Sequence, residues 1–454
     1  MTSNITVHPE ALRRFTEQAQ EVRASLVPAA PPPLSPPLKG SLAHVPVKDT
    51  IRLGVDTADW AWVEGLIDPI TGRYVQLEIH SPRFRLALSP EGMETFGRLV
   101  DQVARQKHLR DICAPKYIES CLIDWLQQTQ EGEAHQNWGD MLIDALRRDV
   151  RRHRVLVPLE GIAIEGEFTI GPVRFGFFTQ DYFERMYERM RSGGADEDNL
   201  QIVRKSFERY QGVVYASFEC TAEPERAKER ALEEIENVLA LLRFFHPAAL
   251  DVRTHCPLGR MGGLSPHQTH FFLLGEDDQI EQGFREATRW GRDMNLSGAG
   301  LRELMRHGLA KVDQLLRAAE TNDLQSRVLK SMTLYSGGLL FPGAEHRLLH
   351  ALVAVESLLL RSPNEPILGS LAPRVAHLCG STIAERRKVV SDLRQVYEVR
   401  SGFVHHGKQL SPESIDLVNR AVKHCWVAVL NLLSETNWTT KDGLITALDN
   451  RLLA

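Results

Sequence analysis

"YEVRSGFVHHGK" (residues 397–408) places one arginine, two histidines and two glycines among apolar side chains, near the C-terminus of a chain of 454 residues. Val389, Leu393, Val396, Tyr397, Phe403 and Val404 recur mostly at three- and four-residue steps, which predicts a helix over 383–404 with one face turned to a core. Arg400 falls on that face. An unpaired buried charge costs on the order of 3–5 kcal/mol, so a partner should be legible elsewhere. In "HRLLHALVAVESLLLRS" (346–362) a buried stripe runs through Leu349, Leu352, Val355 and Leu359, and Glu356 beside it is the only acid of the segment. Glu356 is the candidate partner of Arg400, and on these two residues alone a buried structural salt bridge is the favoured reading.

Working outward, helices are expected at about 299–319, 322–340, 344–361, 371–379 and 383–404, with a sixth at 412–435. Gly380 is placed to end one of them. Thr382 with Glu385 makes a capping-box pattern for the next, and Ser411-Pro412 supplies an N-cap followed by proline at the first helical position. Residues 291–454 therefore read as one all-α helical-bundle domain.

The first half reads differently. Residues 8–26 suit a short helix, and "PAAPPPLSPPLKG" (28–40) holds too much proline for helix or central strand, so 1–44 is expected to be an N-terminal helix and a stiff extended linker. Strand-like runs follow at "IRLGV", "AWVEGLI" and "RYVQLEI". Helical periodicity then covers 91–154 with an interruption at Pro115. Further strands are expected at "IAIEGEFTI", "VRFGFF", "GVVYASFEC" and "HFFLL". Between the last two, Ala227, Ala231, Ile235, Val238, Leu242 and Phe245 form the apolar stripe of a long helix. Residues 45–290 are thus an α+β region, a sensor or regulator by position, and the chain is multidomain.

Composition narrows the function classes. Hydrophobic residues make up 43% and charged residues 25%, enough for a sizeable core, and the formal net charge of -5 gives no global attraction to nucleic acid. Any polyanion contact must come from a local basic patch. Six cysteines without a CxxC pair, an N-terminus without the apolar run of a signal peptide and no bilayer-length apolar stretch make a cytoplasmic protein with free thiols the expectation, with no membrane contact.

Residues five apart on a regular helix point roughly 140° away from each other, so Arg400 and His405 share a face only where the helix ends between them. Gly402 and Gly407 would allow such an end. Arginine offers a fixed positive fork to a phosphate, and histidine exchanges protons near neutral pH. Because RNA carries its own nucleophile, the 2′-hydroxyl, such a pair suits phosphodiester cleavage without a serine nucleophile or a metal.

"YEVRSGFVHHG" closely resembles the R-x4-6-H signature of HEPN domains, and its "Y..RS..VHxG" form resembles the ApeA-like subgroup. The acid in "VAVESLLL" and the segment "LAPRVAHLCG" are similar to that subgroup too, so the resemblance covers roughly 300–436. It implies a helical bundle that forms a homodimer and unites two R-x4-H segments in one metal-independent endoribonuclease site, needing no cofactor. In that scheme Arg400 holds the scissile phosphate of RNA and His405 is the general acid/base. Ser401 matches the small polar residue after the arginine, and Glu356 matches the acid of the preceding helix. His406 also satisfies the broader spacing. The resemblance further suggests a bacterial antiviral-defence or stress effector. Tyr397 supports the motif from upstream, whereas the tyrosine modified by partner nucleotidyltransferases in toxin–antitoxin pairs stands just after the histidine. The alternative is a non-catalytic RNA-binding or dimerisation module in which Arg400 and Glu356 form a structural pair.

Other clusters carry weaker signals. Arg374 and His377 on the neighbouring helix are candidates for phosphate contacts, with a salt-bridged helix face as the plainer reading. "RRDVRRHR" concentrates Arg147, Arg148, Arg151, Arg152 and Arg154 at an expected helix end, which is either a solvated terminus or an RNA-guiding patch. His255, Cys256, His267 and His270 are zinc-ligand types in the wrong spacing, so no metal site is expected. Gly259, Gly262 and Gly263 lack the Lys-Ser/Thr ending of a phosphate loop and read as turns.

Overall fold

A computed structural model of the chain describes residues 7–29, 47–49, 62–67, 74–81, 84–132, 136–262, 268–274, 280–286, 293–341, 343–362 and 364–453. Most of the proline-rich segment expected to be an extended linker, the 44/45 boundary and the strand expected at "IRLGV" lie outside them. The chain forms two compact units, one of residues 1–153 with 220–230 and the other of 154–219 with 231–454. That division differs from boundaries at 44/45 and 290/291, because strands and helices before residue 290 cluster with the C-terminal helices.

In the first unit, helix α1 (Pro9–Ala24) precedes strands β1 (Leu26–Pro28), β2 (Val47–Asp49), β3 (Trp62–Ile67), β4 (Tyr74–Ser81) and β5 (Phe84–Leu88). The strands pair antiparallel in the order β1-β5-β4-β3-β2. Helices α2 (Pro90–Ala104), α3 (Pro115–Glu131) and α4 (Trp138–Asp149) follow. Proline opens α2 and α3, where the missing N–H removes no helical bond, and the side chains of Ser89 and Asn137 cap α2 and α4. Phe15, Leu77, Ile79, Phe96, Trp125 and Trp138 belong to one buried core here.

The chain passes into the second unit within β6 (Arg151–Glu160), and β7 (Ile162–Ile164), β8 (Phe168–Ile170) and β9 (Val173–Phe177) follow. Then come helices α5 (Gln180–Ser192) and α6 (Glu197–Tyr210), strand β10 (Val214–Ala222), helix α7 (Pro224–Phe244), and strands β11 (Gly259–Arg260), β12 (Gln268–Leu274), β13 (Ile280–Glu286) and β14 (Met294–Leu296). Of these, β10 and α7 share residues 220–230 with the first unit. A five-stranded sheet runs β11-β6-β10-β9-β8, with β11–β6, β10–β9 and β9–β8 antiparallel, β12 and β13 form an antiparallel hairpin, and β14 lies parallel to β7. The expected apolar stripe of α7 is buried throughout. Helices α5 and α6 were not anticipated, and Phe183, Val203 and Phe207 join them around Phe178 and Tyr215.

From residue 298 the unit is helical: α8 (Gly298–Leu304), α9 (Ala310–Arg317), α10 (Asp323–Gly337), α11 (Ala344–Leu359), α12 (Ile367–Cys379), α13 (Ile383–His406), α14 (Pro412–Leu433) and α15 (Lys441–Leu453). The N-terminal part of the chain is therefore α+β and the C-terminal part helical. The capping box of Thr382 and Glu385 forms as expected. Proline opens α14 after Ser411, although the Ser411 side chain makes no cap bond.

Four expectations change. The single helix over 299–319 is broken by a π turn at Met305–Leu309, where Gly308 takes φ 120. A side chain would be strained there by that dihedral, and its Cβ would stand a tight 3.2 Å from the side-chain ends of Leu430 and Leu433. Helix α12 starts at Ile367 and carries Pro373 inside, so it begins earlier than the apolar pattern indicated. Helix α4 ends at Asp149, which leaves Arg151, Arg152 and Arg154 on strand β6 rather than at a helix terminus. Helix α15 was not foreseen at all. No described helix is long and apolar enough to cross a membrane, and all six cysteines are free.

Candidate active site

The C-terminal end of α13 is set by Gly407, which adopts φ 61 and donates its N–H to the Phe403 carbonyl, while Lys408 N–H reaches back to Gly402. This double closure needs a left-handed residue, and glycine takes that conformation without strain. The helix thus runs unbroken past both motif residues. The expected end between Arg400 and His405 does not occur, because Gly402 is helical and only Gly407 is left-handed.

Arg400 and His405 nevertheless line one open groove of about 680 Å³, together with Tyr397, Glu398, Ser401 and Val404 of α13 and residues 366–369 at the start of α12. At about 100° per residue, Arg400 and His405 lie on opposite flanks of a strip made by Tyr397, Ser401 and Val404. The groove is lined from both flanks. Val404 was expected to face the core, but it is 51% exposed in this groove, and Phe403 is only half-buried. His406 is exposed and does not line the groove, so the R-x4-H register places His405 there.

Glu356 of α11 joins the site from below. It accepts a hydrogen bond of 2.7 Å from the Tyr397 hydroxyl and stands 3.7 Å from an Arg400 terminal nitrogen. Burial, and then the Glu356 charge, push the Tyr397 hydroxyl far above its ordinary range, so it stays a neutral donor. The Arg400 guanidinium sits 5.6 Å from the centre of the Tyr397 ring. Its Nε is buried without a hydrogen-bond partner, yet the side chain keeps 28% of its surface exposed. The guanidinium is therefore held by a ring and a carboxylate, with Nε buried and the rest of the side chain partly exposed on the groove. Tyr397→Phe is expected to lower stability by about 2 kcal/mol, since it removes a bond to a charged group. Urea denaturation of the variant against the parent measures it.

The other candidates separate. Arg374 is buried, and it bonds both oxygens of Asp449 at 2.7 and 3.0 Å, Glu365 at 2.7 Å and the Leu359 carbonyl at 2.6 Å. That corrects the phosphate-contact reading, because its donors point into the bundle and are filled. Arg147 pairs with Asp144 and Arg148 with Asp149 on the exposed end of α4. Arg154 turns toward the Tyr215 and Ser217 hydroxyls at 3.4 Å. Arg151 and Arg152 are exposed on the strand, so the five arginines do not share one helix end. Cys256 is buried, the side chains of His267 and His270 lie outside the described residues, and no described cluster could hold a metal ion.

No family model, curated protein or solved structure matches the chain.

Sequence reasoning missed a second buried charge group. Asp392 of α13 bonds Arg420 at 3.1 Å and His424 at 3.1 Å; burial opposes its charge, but these partners hold its carboxyl below the usual range. Its position three residues after Val389 on the core stripe was the available signal. Arg347 of α11 is likewise buried, and it donates to the carbonyls of Ala248, Asp251 and Thr254.

Proposed function

We propose that the C-terminal helices form a HEPN-type domain and that the chain is a metal-independent endoribonuclease acting at Arg400 and His405. The observation that carries this reading is the groove itself: Arg400, its side chain 28% exposed and without a hydrogen bond among the described residues, lines it together with His405. Arg374, the buried arginine next along the bundle, contrasts with it by having its donors filled. The structural pair of Arg400 and Glu356 that the non-catalytic alternative requires is present, as an ion pair at 3.7 Å rather than a hydrogen bond, and it leaves the Arg400 side chain 28% exposed on the groove.

Chemically, the terminal nitrogens of Arg400 suit the non-bridging oxygens of a scissile phosphate, with Glu356 and the Tyr397 ring fixing the direction of the guanidinium. His405, exposed on the opposite flank, suits proton exchange with the 2′-hydroxyl or the departing 5′-oxygen. Ser401 between them offers a hydroxyl donor. The 2′-oxygen attacks phosphorus, the bond to the 5′-oxygen breaks, and the products are a 2′,3′-cyclic phosphate and a free 5′-hydroxyl. Val404 and Leu368, 51% and 38% exposed at the groove, suit an apolar contact with a second copy of the chain, as a composite site requires.

Purified protein incubated with RNA in EDTA is expected to cleave it, and a substrate with a single 2′-deoxy position is expected to resist at that position alone. Cutting that depends strictly on added metal, or that proceeds at the deoxy position, removes the reading.

A further inference from the structure

A second open groove, of about 520 Å³, lies between α12 and the N-terminal half of α13. Arg386, Arg387 and Arg394 line it with His377, Ser391 and Gln395, and no carboxylate is among its lining residues. Arg386 donates Nε to the Gly380 carbonyl at 3.0 Å. Among the described residues, Arg387 and Arg394 have neither an ion pair nor a hydrogen bond, and both are exposed. Burial first, and then the charges of Arg386 and Arg451, lower the His377 imidazole below its ordinary range.

This groove is in line with the first. Arg387, Arg394 and Ser401 stand at seven-residue steps, and each such step turns a helix by only about 20°. His405 follows one turn later. The cationic groove and the Arg400–His405 groove therefore share one side of α13, with Glu398 the single carboxylate lining either.

We infer that the upper groove holds the sugar-phosphate backbone of single-stranded RNA beyond the cut, with Arg387 and Arg394 as positioning residues; this rests on the ribonuclease reading of Arg400 and His405. Two unpaired guanidiniums in a concave, carboxylate-free surface are what a polyanion needs in a chain whose overall charge is negative. The geometry also sets a length. Arg394 is eleven residues from His405, or about 16 Å along the axis at ~1.5 Å per residue. A stacked strand advances ~3.4 Å per nucleotide, so Arg394 is met about five nucleotides from the cut.

The test measures binding of a single-stranded oligonucleotide across a salt series, in a His405→Ala background that keeps the RNA intact. Adding Arg387→Ala and Arg394→Ala is expected to reduce the slope of log affinity against log salt by about 1.4, at ~0.7 per lost phosphate contact. The Lys pair at the same positions should restore most of the slope. With His405 intact, the Ala pair should raise KM for long RNA, leave kcat unchanged, and not alter KM for an oligonucleotide too short to reach Arg394. An unchanged slope and KM in the Ala pair overturn the inference while leaving the cleavage site standing. The same holds if the pair loses self-association in sedimentation but keeps RNA affinity. A parent protein that cleaves no RNA overturns the cleavage reading instead, and the salt slope still decides the groove.

Discussion

Arg400→Ala and His405→Ala are each expected to reduce RNA cleavage by ~10²–10⁴-fold, the usual worth of a positioned acid/base or of an equivalent charge-stabilising contact. The two losses should differ in kind. Removing Arg400 also leaves Glu356 with Tyr397 alone, so some loss of stability accompanies the loss of rate. Removing His405 takes away an exposed side chain and should leave the denaturation midpoint unchanged. His406→Ala is the internal control, because His406 does not line the groove, and its cleavage rate should stay within a few-fold of the parent. Single-turnover cleavage, with circular dichroism and sedimentation on each variant, checks all three. Full activity in both Arg400→Ala and His405→Ala moves the site elsewhere.

Arg374→Met is expected to destabilise the helical part by about 3 kcal/mol without any direct role in chemistry. The substitution removes the shared partner of Glu365 and Asp449, and breaking a buried pair costs ~3–5 kcal/mol. The lower end applies because the Asp449 side chain is 32% exposed and keeps a 3.0 Å bond to Arg361. The pH dependence carries a second signature. Hydrogen bonds from Arg374 hold both the Glu365 and Asp449 carboxyls below their ordinary ranges. Their contribution is complete above the unfolded carboxylate range near pH ~4 and is lost as pH falls through the depressed folded values. The parent should therefore lose stability on acidification below about pH 4, and Arg374→Met should lose less. Thermal melts of both proteins across that window measure it, and parallel curves would dismiss the assignment.

Legibility followed the range of the interaction. Thr382 with Glu385 and the stripe of α7 were readable because capping and helical periodicity are decided within a few residues. Helices α5 and α6 escaped because their charged faces dominate the sequence, and they bury Phe183, Leu200 and Val203 with few other residues. Arg374 could not be assigned from its neighbours, since its main acid, Asp449, lies on a helix that the periodicity did not disclose. The run from Arg147 to Arg154 was misplaced because helix and strand meet inside it, and charge alone does not mark that junction.

For the motif itself, the sequence alone determined the residue types, the acid at Glu356 and the likeness of the segment to a known signature. It also placed Arg400 on a face that needed a reason. Tertiary structure decided the rest. Five residues of unbroken helix point Arg400 and His405 apart, and only the start of α12, packed against the strip between them, turns those two directions into the flanks of one groove. Whether a guanidinium is filled or open depends on what stands across from it in space, which is why Arg374 proved a buried anchor and Arg400 stayed partly exposed on its groove.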